Sequence, residues 1–317
     1  MTAPVTAPET AARRGVSGTA TGGQAPRGPL VGVSSGVFSQ FPDYATPAAV
    51  ADGMGRLPAD VFEVLLFGSW PDMDGAARTI AAARRPVAVV HGEKRIGGLL
   101  GAADGARRRQ GQDLVRVALR VAAILGAPTV NIHLWDLPDS DRCLERNLAA
   151  LEEILPEVWA SGVHLLVETI PCQLDVPWRG VERALACAEA QATRAGVAPR
   201  GGALGVNLDL EFLSWHGGLD VTLRDHVPAW GDRLRNVHVK DHDGRPFDEQ
   251  GRRRYVNPGD GVLDYPRIFR SLRDAGYAGP LMFEGNVTRA GDRQAALAAT
   301  VLYLDRIRRW AAEAWTP

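Results

Sequence analysis

Apolar and polar positions follow two alternating rhythms along this chain. Short apolar, β-branched runs are each followed by a longer stretch in which apolar residues recur every three or four positions. The short runs predict strands over 30–34, 61–67, 87–91, 129–134, 163–169, 203–209, 234–240 and 281–284. The longer stretches, rich in Ala and Arg, predict helices, among them 107–125, 141–160, 181–195 and a last one over 293–310. Eight strand–helix repeats predict an α/β protein, a single (β/α)8 TIM barrel. A doubly wound open sheet is the alternative, but no Gly-x-Gly-x-x-Gly follows the first strand as a dinucleotide fold requires.

The rhythm is missing at the start. Residues 1–28 hold Ala, Thr, Gly, Pro and Arg with almost no large apolar side chain, so they cannot offset their ordering entropy. A disordered tail over 1–28 and a barrel domain over 29–317 are expected. The Arg13–Arg14 pair invites a twin-arginine export reading, but no apolar segment follows it.

Composition narrows the function classes. The 317 residues are 45% hydrophobic and 23% charged, with a net charge of -1. That balance disfavours nucleic acid as a partner, which needs a basic face. No run approaches the ~18 apolar residues of a membrane span. The three cysteines, Cys143, Cys172 and Cys187, lack metal-ligand spacing and cannot all pair, so a reduced, cytoplasmic setting is expected. Of 36 basic residues, only Lys94 and Lys240 are lysine.

A barrel should carry its chemistry at the C-terminal ends of its strands. Six predicted strands end in ionisable residues: His91, His133, Glu168, Asp209, His238 with Lys240, and Glu284. Strand alternation puts His238 and Lys240 on one face and Val237 and Val239 on the other. One such residue is commonly a hydrogen-bonded structural group. Six are hard to explain that way, because buried charge is costly without a partner. Glu168, Asp209 and Glu284 would repel one another unless a cation sat among them. With His238 they form an oxygen-rich set with one nitrogen, suited to Mn²⁺ first and to Mg²⁺ or Co²⁺ as alternatives.

These four positions, together with His238-Val-Lys240-Asp241 and the later Pro258-Gly259-Asp260-Gly261-Val-Leu-Asp264, resemble the xylose isomerase-like barrel superfamily. The resemblance spans about residues 30–310 and is closest to the ketose 3-epimerase and inosose dehydratase branches. It implies metal ligation by Glu168, Asp209, His238 and Glu284, with Glu168 and Glu284 moving a proton through a cis-enediolate. Two departures stand out. A histidine usual three residues after the strand-six aspartate is Phe212 here, and the loop after strand seven reads Arg252-Arg253-Arg254-Tyr255, without the Asp-x-His pair of the endonuclease branch. A trinuclear DNA-repair site is therefore not expected.

Further residues are assigned around this centre. Lys240 is expected as a proton carrier or hydroxyl clamp, since an ammonium is compact and can lose its proton. His133 is expected as a catalytic hydrogen-bond partner or relay. His91, Trp135, Trp70, His216 and Arg245 are candidate contacts for the substrate, the tryptophans through an apolar ring face. Gly259-Asp260-Gly261 carries an acid where an anion would sit, which disfavours a phosphorylated substrate. The expected function is a metal-dependent isomerase or epimerase of a small sugar or cyclitol. A dehydratase of an inosose or dehydroshikimate, and a catalytically silent sugar-binding barrel, are the alternatives. A homodimer or homotetramer is the assembly implied by the resemblance.

Overall fold

The computed structural model describes residues 28–39, 45–137, 139–197, 204–245, 249–250, 254–285 and 292–316, without the side chain of Phe38. The expected tail, apart from Gly28, lies outside the described residues, as does part of the 241–260 connection. Eight parallel strands pair in sequence order, and the last pairs with the first, closing the barrel. They are β1 (Val31–Ser34), β2 (Val61–Leu65), β3 (Val87–His91), β4 (Thr129–Ile132), β5 (His164–Glu168), β6 (Gly205–Asp209), β7 (Leu234–Val239) and β8 (Leu281–Phe283). Every predicted strand is present.

A principal helix follows each strand: α1 (Pro47–Arg56), α2 (Met73–Ala81), α3 (Gly105–Leu125), α4 (Leu144–Ser161), α5 (Pro177–Ala195), α6 (Leu210–Trp215), α7 (Tyr265–Asp274) and α8 (Arg293–Trp315). Their starts are written in the sequence. Thr46, Asp72, Asp104, Asp209, Asp264 and Asp292 each accept a first-turn N–H through the side chain. Gly126, Gly162 and Gly196 end α3, α4 and α5 in the left-handed conformation that glycine adopts without strain. Several helix boundaries differ from the sequence pattern, α3 and α5 starting earlier, at Gly105 and Pro177. The expected helix over 141–160 begins only at Leu144, because Asp141 is spent on a loop described below. The last helix runs on to Trp315.

Most of the core lies between the strands and the helical ring. A second, small cluster of Val61, Val89 and Met282 plugs the barrel interior. Each belongs to the inward parity of its strand, and two residues further along come Glu63, His91 and Glu284. The interior thus changes from an apolar floor to a polar upper layer. This transition positions the site.

Candidate metal centre

Buried polar side chains fill the C-terminal half of the barrel. Glu63, His91, Asn131, Glu168, Asn207, Asp209, Asn236 and His238 are all essentially inaccessible to solvent. Ligand atoms of Glu168, Asp209, His238 and Glu284 lie within 4.8 Å of one another. The four residues come from β5, β6, β7 and the end of β8, so the strand order brings together what the sequence spreads over more than a hundred positions.

His238 is the hinge of the cluster. Its Nδ1 faces Glu284 Oε2 at 2.9 Å, Glu168 Oε1 at 3.3 Å and Asp209 Oδ2 at 3.9 Å. Its Nε2 lies 2.9 Å from Glu63 Oε2 on the opposite side. With Nε2 held against Glu63, Nδ1 is turned into the carboxylate cluster. Burial favours the neutral ring, but Glu63, Glu284 and Glu168 outweigh it and hold His238 well above the ordinary histidine range.

The carboxylates differ among themselves. Burial alone would raise each of them. In Glu168 it is outweighed by His238 and His133, and in Glu284 by Lys240 and His238, so both stay well below the usual carboxylate range. Asp209 is pushed up to about 7 by burial, which Lys240 only partly offsets, with Glu168 and Glu211 adding repulsion. Lys240 Nζ lies 2.5 Å from Asp209 Oδ2 and 2.7 Å from Glu284 Oε2. Three carboxylates converging on one imidazole, with ligand atoms within 4.8 Å of one another, are a donor set suited to a hard divalent cation, so the residues fit a metal.

A second group adjoins the first through Glu168. His91, His133 and Glu168 also offer ligand atoms within 4.8 Å of one another. Glu168 Oε2 accepts from Asn131 Nδ2 at 2.6 Å and lies 3.3 Å from His91 Nε2 and 3.5 Å from His133 Nε2. His133 Nδ1 meets Asp136 Oδ2 at 3.2 Å. Burial lowers the His133 imidazole, yet Glu168 and Asp136 bring it up to about 9.

Four sequence candidates for substrate contact sit elsewhere. Trp135 is fully buried, and its Nε1–H donates to the Pro171 carbonyl at 3.0 Å. A Cβ on Gly97 would come within 2.5 Å of the Trp135 backbone, and one on Gly180 within 2.7 Å of its ring, so Trp135 is a packing group. Trp70 is buried too, its Nε1–H bonded to the Ala45 carbonyl at 2.7 Å. His216 Nε2 accepts the Cys172 N–H at 3.3 Å, pinning the β5–α5 loop. Arg245 is exposed and pairs with Asp243 on its own loop.

Sequence reasoning missed Glu63, Asn131, Asn207 and Asn236. A signal was available: each asparagine stands two residues before a strand-end group, at Asn131 and His133, Asn207 and Asp209, and Asn236 and His238. Period-two alternation places such pairs on one face. Glu63 interrupts an otherwise apolar strand at the inward parity.

Two aspartates organise the loops around the mouth. Asp141 accepts the N–H groups of Gln173, Leu174 and Asp175. Asp241 accepts those of Gly259, Gly261, Val262 and Leu263. The glycine run after β7 is therefore wrapped around a carboxylate of the chain itself, which occupies the place an external phosphate would need. The three cysteines are free thiols, with Cys172 raised by burial. No helix among the described residues is long and apolar enough to cross a membrane.

Comparison with known proteins agrees with this geometry. Residues 73–307 match the family model described as xylose isomerase-like TIM barrel. Among solved structures, the chain is similar to a D-allulose 3-epimerase from Methylomonas sp. (TM-score 0.59, 18% identity, 90% of this chain and 100% of that one). It is similar to a 3-keto-D-glucoside 4-epimerase from E. coli (TM-score 0.60, 18% identity, 88% and 99% covered). An L-ribulose 3-epimerase is comparable (TM-score 0.59, 19% identity, 89% and 96% covered). At such identities the likeness is one of fold. No curated protein sequence matches significantly. By its matched length, its closed barrel and its strand-end residues, the chain belongs to the xylose isomerase-like TIM barrel family.

Proposed function

We propose that this protein is a divalent-metal-dependent isomerase or epimerase of a small polyhydroxy ketone or aldehyde, a sugar or a cyclitol. The observation that carries the reading is the convergence of Glu168, Asp209, His238 and Glu284 at the buried end of the barrel. These four would hold the ion, with Mn²⁺ first and Mg²⁺ or Co²⁺ as alternatives. A divalent ion held there supplies Lewis-acid polarisation of a carbonyl and acidifies the adjacent C–H.

The remaining work falls to the side chains. Glu168 and Glu284 reach the centre from β5 and from the end of β8, and both are held ionised at neutral pH. One takes the proton from the carbon next to the carbonyl, leaving a cis-enediolate; that carboxyl can give the proton back, or the other carboxylate delivers one drawn from the cation beside it, Lys240 next to Glu284 or His133 next to Glu168. Return to the opposite face of the same carbon epimerises it. Return to the neighbouring carbon interconverts aldose and ketose. Lys240 and His133 stay cationic at neutral pH, each held above its ordinary range despite burial. They steady negative charge on the substrate oxygens. His91, buried beside His133, lines the same side.

Two cationic acids so close to the carboxylates also favour a second reading, expulsion of a β-hydroxyl as water by an inosose- or dehydroshikimate-type dehydratase. One experiment separates the two: metal analysis of the purified protein, then a screen of ketoses, inososes and hydroxy-ketoacids in D₂O. Deuterium in a recovered product of unchanged composition supports isomerisation, and loss of water with enone absorbance supports dehydration. Absence of both, with no stoichiometric metal, overturns the proposal.

A further inference from the structure

Phe212 occupies a place next to the centre that the mechanism above leaves unexplained. The Lys240 ammonium lies 4.5 Å from the centroid of its ring. The ring is set there by a short chain of bonds. Asp209 Oδ1 accepts the Phe212 N–H at 2.9 Å, capping α6, while its other oxygen, Oδ2, faces the Lys240 ammonium at 2.5 Å. On the other side, the Tyr265 O–H donates to the Lys240 carbonyl at 2.5 Å and fixes the backbone at the end of β7.

Lysine carries four flexible carbons between such an anchored backbone and its charge. Asp209 and Glu284 take two sides of the ammonium at 2.5 and 2.7 Å, and Glu168 and the buried Glu211 attract it as well, so the acids leave its remaining side undefined. An aromatic face fills that side. It attracts a cation through its quadrupole, more strongly where water is excluded, and offers no lone pair that would compete for an N–H. The Lys240 side chain is only 11% exposed. A neutral imidazole at position 212 would present such a lone pair, and a protonated one would repel the ammonium.

We propose that Phe212 is a positioning residue for Lys240. Its ring backs the ammonium at the Asp209–Glu284 edge of the centre, where two N–H groups face those carboxylates and the third is left for a substrate oxygen. The placement of the ammonium rests on geometry alone, and its use on a substrate rests on the function proposed above.

The sequence makes this directly measurable, because Lys94 and Lys240 are the only lysines. Full-length protein labelled with ¹³Cε-lysine gives two side-chain NMR signals, and Lys94→Arg leaves the one from Lys240. The ring face shifts that signal upfield. Phe212→Leu should return it toward the position of an exposed lysine, and Phe212→Tyr should leave it in place. A Lys240 signal unmoved by Phe212→Leu in a protein of unchanged melting temperature overturns the proposal. Should the leucine variant not fold, Phe212→Trp serves, since its larger ring must move the signal; an unmoved signal again overturns the idea. Added Mg²⁺ tests the other reading separately: it should shift the Lys240 signal and not that of Lys94. A Mg²⁺-insensitive signal that still responds to Phe212 contradicts the metal centre and leaves the positioning role standing. With a turnover assay, Phe212→Leu should lower kcat roughly 2- to 30-fold, the equivalent of one cation–π contact, with KM little changed and Phe212→Tyr restoring the rate.

Discussion

Glu63 Oε2 and His238 Nε2 lie 2.9 Å apart, with both side chains fully buried. The pair fixes the imidazole as a donor toward Glu63 and turns the other ring nitrogen toward Glu168, Asp209 and Glu284. Asn236 Nδ2 donates to the same Glu63 oxygen at 3.5 Å, and Asn207 lies against the imidazole, so the ring has little freedom to turn. Outer carboxylates of this kind typically change metal affinity by about 10- to 100-fold. Glu63→Gln should therefore weaken Mn²⁺ binding by that order in isothermal titration calorimetry, with the melting temperature of the metal-free protein nearly unchanged. Equal affinity in both proteins would show that Glu63 does not orient the ligand.

Lys240 is confined between two carboxylates and a ring. Lys240→Arg conserves charge but changes shape and hydrogen-bond direction. Turnover should fall by about 100-fold or more, the range for removal of a positioned acid–base group. Metal content, measured by elemental analysis, should remain at the wild-type level. Full turnover in the arginine variant would remove Lys240 from the mechanism.

Trp135 provides a contrast between packing and binding. Its ring is closed in by Gly180 and its N–H satisfies the Pro171 carbonyl. Trp135→Phe should cost about 0.5–1.5 kcal/mol, because the indole bond to the Pro171 carbonyl is lost while Ser140 Oγ still donates to it at 3.2 Å. Chemical denaturation would show this as a lower midpoint, while KM for any substrate found stays the same. A KM change without loss of stability would restore the ring to the substrate pocket.

Acid should act through Asp141. Burial raises this carboxyl, but the N–H groups of Gln173 and Leu174 outweigh it and hold it below the ordinary aspartate range. The unfolded chain therefore takes up the proton first as pH falls. The stabilisation is complete above the unfolded value of about 3.9 and disappears as pH drops through the folded one. Asp141→Asn should lower the melting temperature at pH 7, and the gap to wild type should narrow steadily below pH 4. A gap independent of pH would mean that the charge contributes nothing to the loop.

Much of this was legible in the sequence, for a definable reason. Strand alternation is local, so His91, Glu168 and Asp209, each the last residue of its strand, could be placed on the inward face from a few neighbours. His133, Lys240 and Glu284 stand one residue beyond their strands and keep the inward direction. Trp135 stands three beyond the end of β4, where the chain has left the strand, and its ring packs against Gly180. Trp70 and His216 belong to connections whose hydrogen bonds reach distant segments, at Ala45 and Cys172. No local pattern encodes such bonds. Glu63 lies in the middle of β2, away from the strand ends where a barrel carries its chemistry, and its signal is of another kind: a carboxylate amid apolar strand residues implies a buried partner.

The central claim is that Glu168, Asp209, His238 and Glu284 hold one cation between them. Anomalous diffraction at the manganese edge, from crystals grown with Mn²⁺, tests it directly. The account requires a single strong peak at coordination distance, about 2.0–2.6 Å, from donor atoms of all four residues. Crystals with no peak there, or with Mn²⁺ bound only elsewhere on the chain, would contradict it.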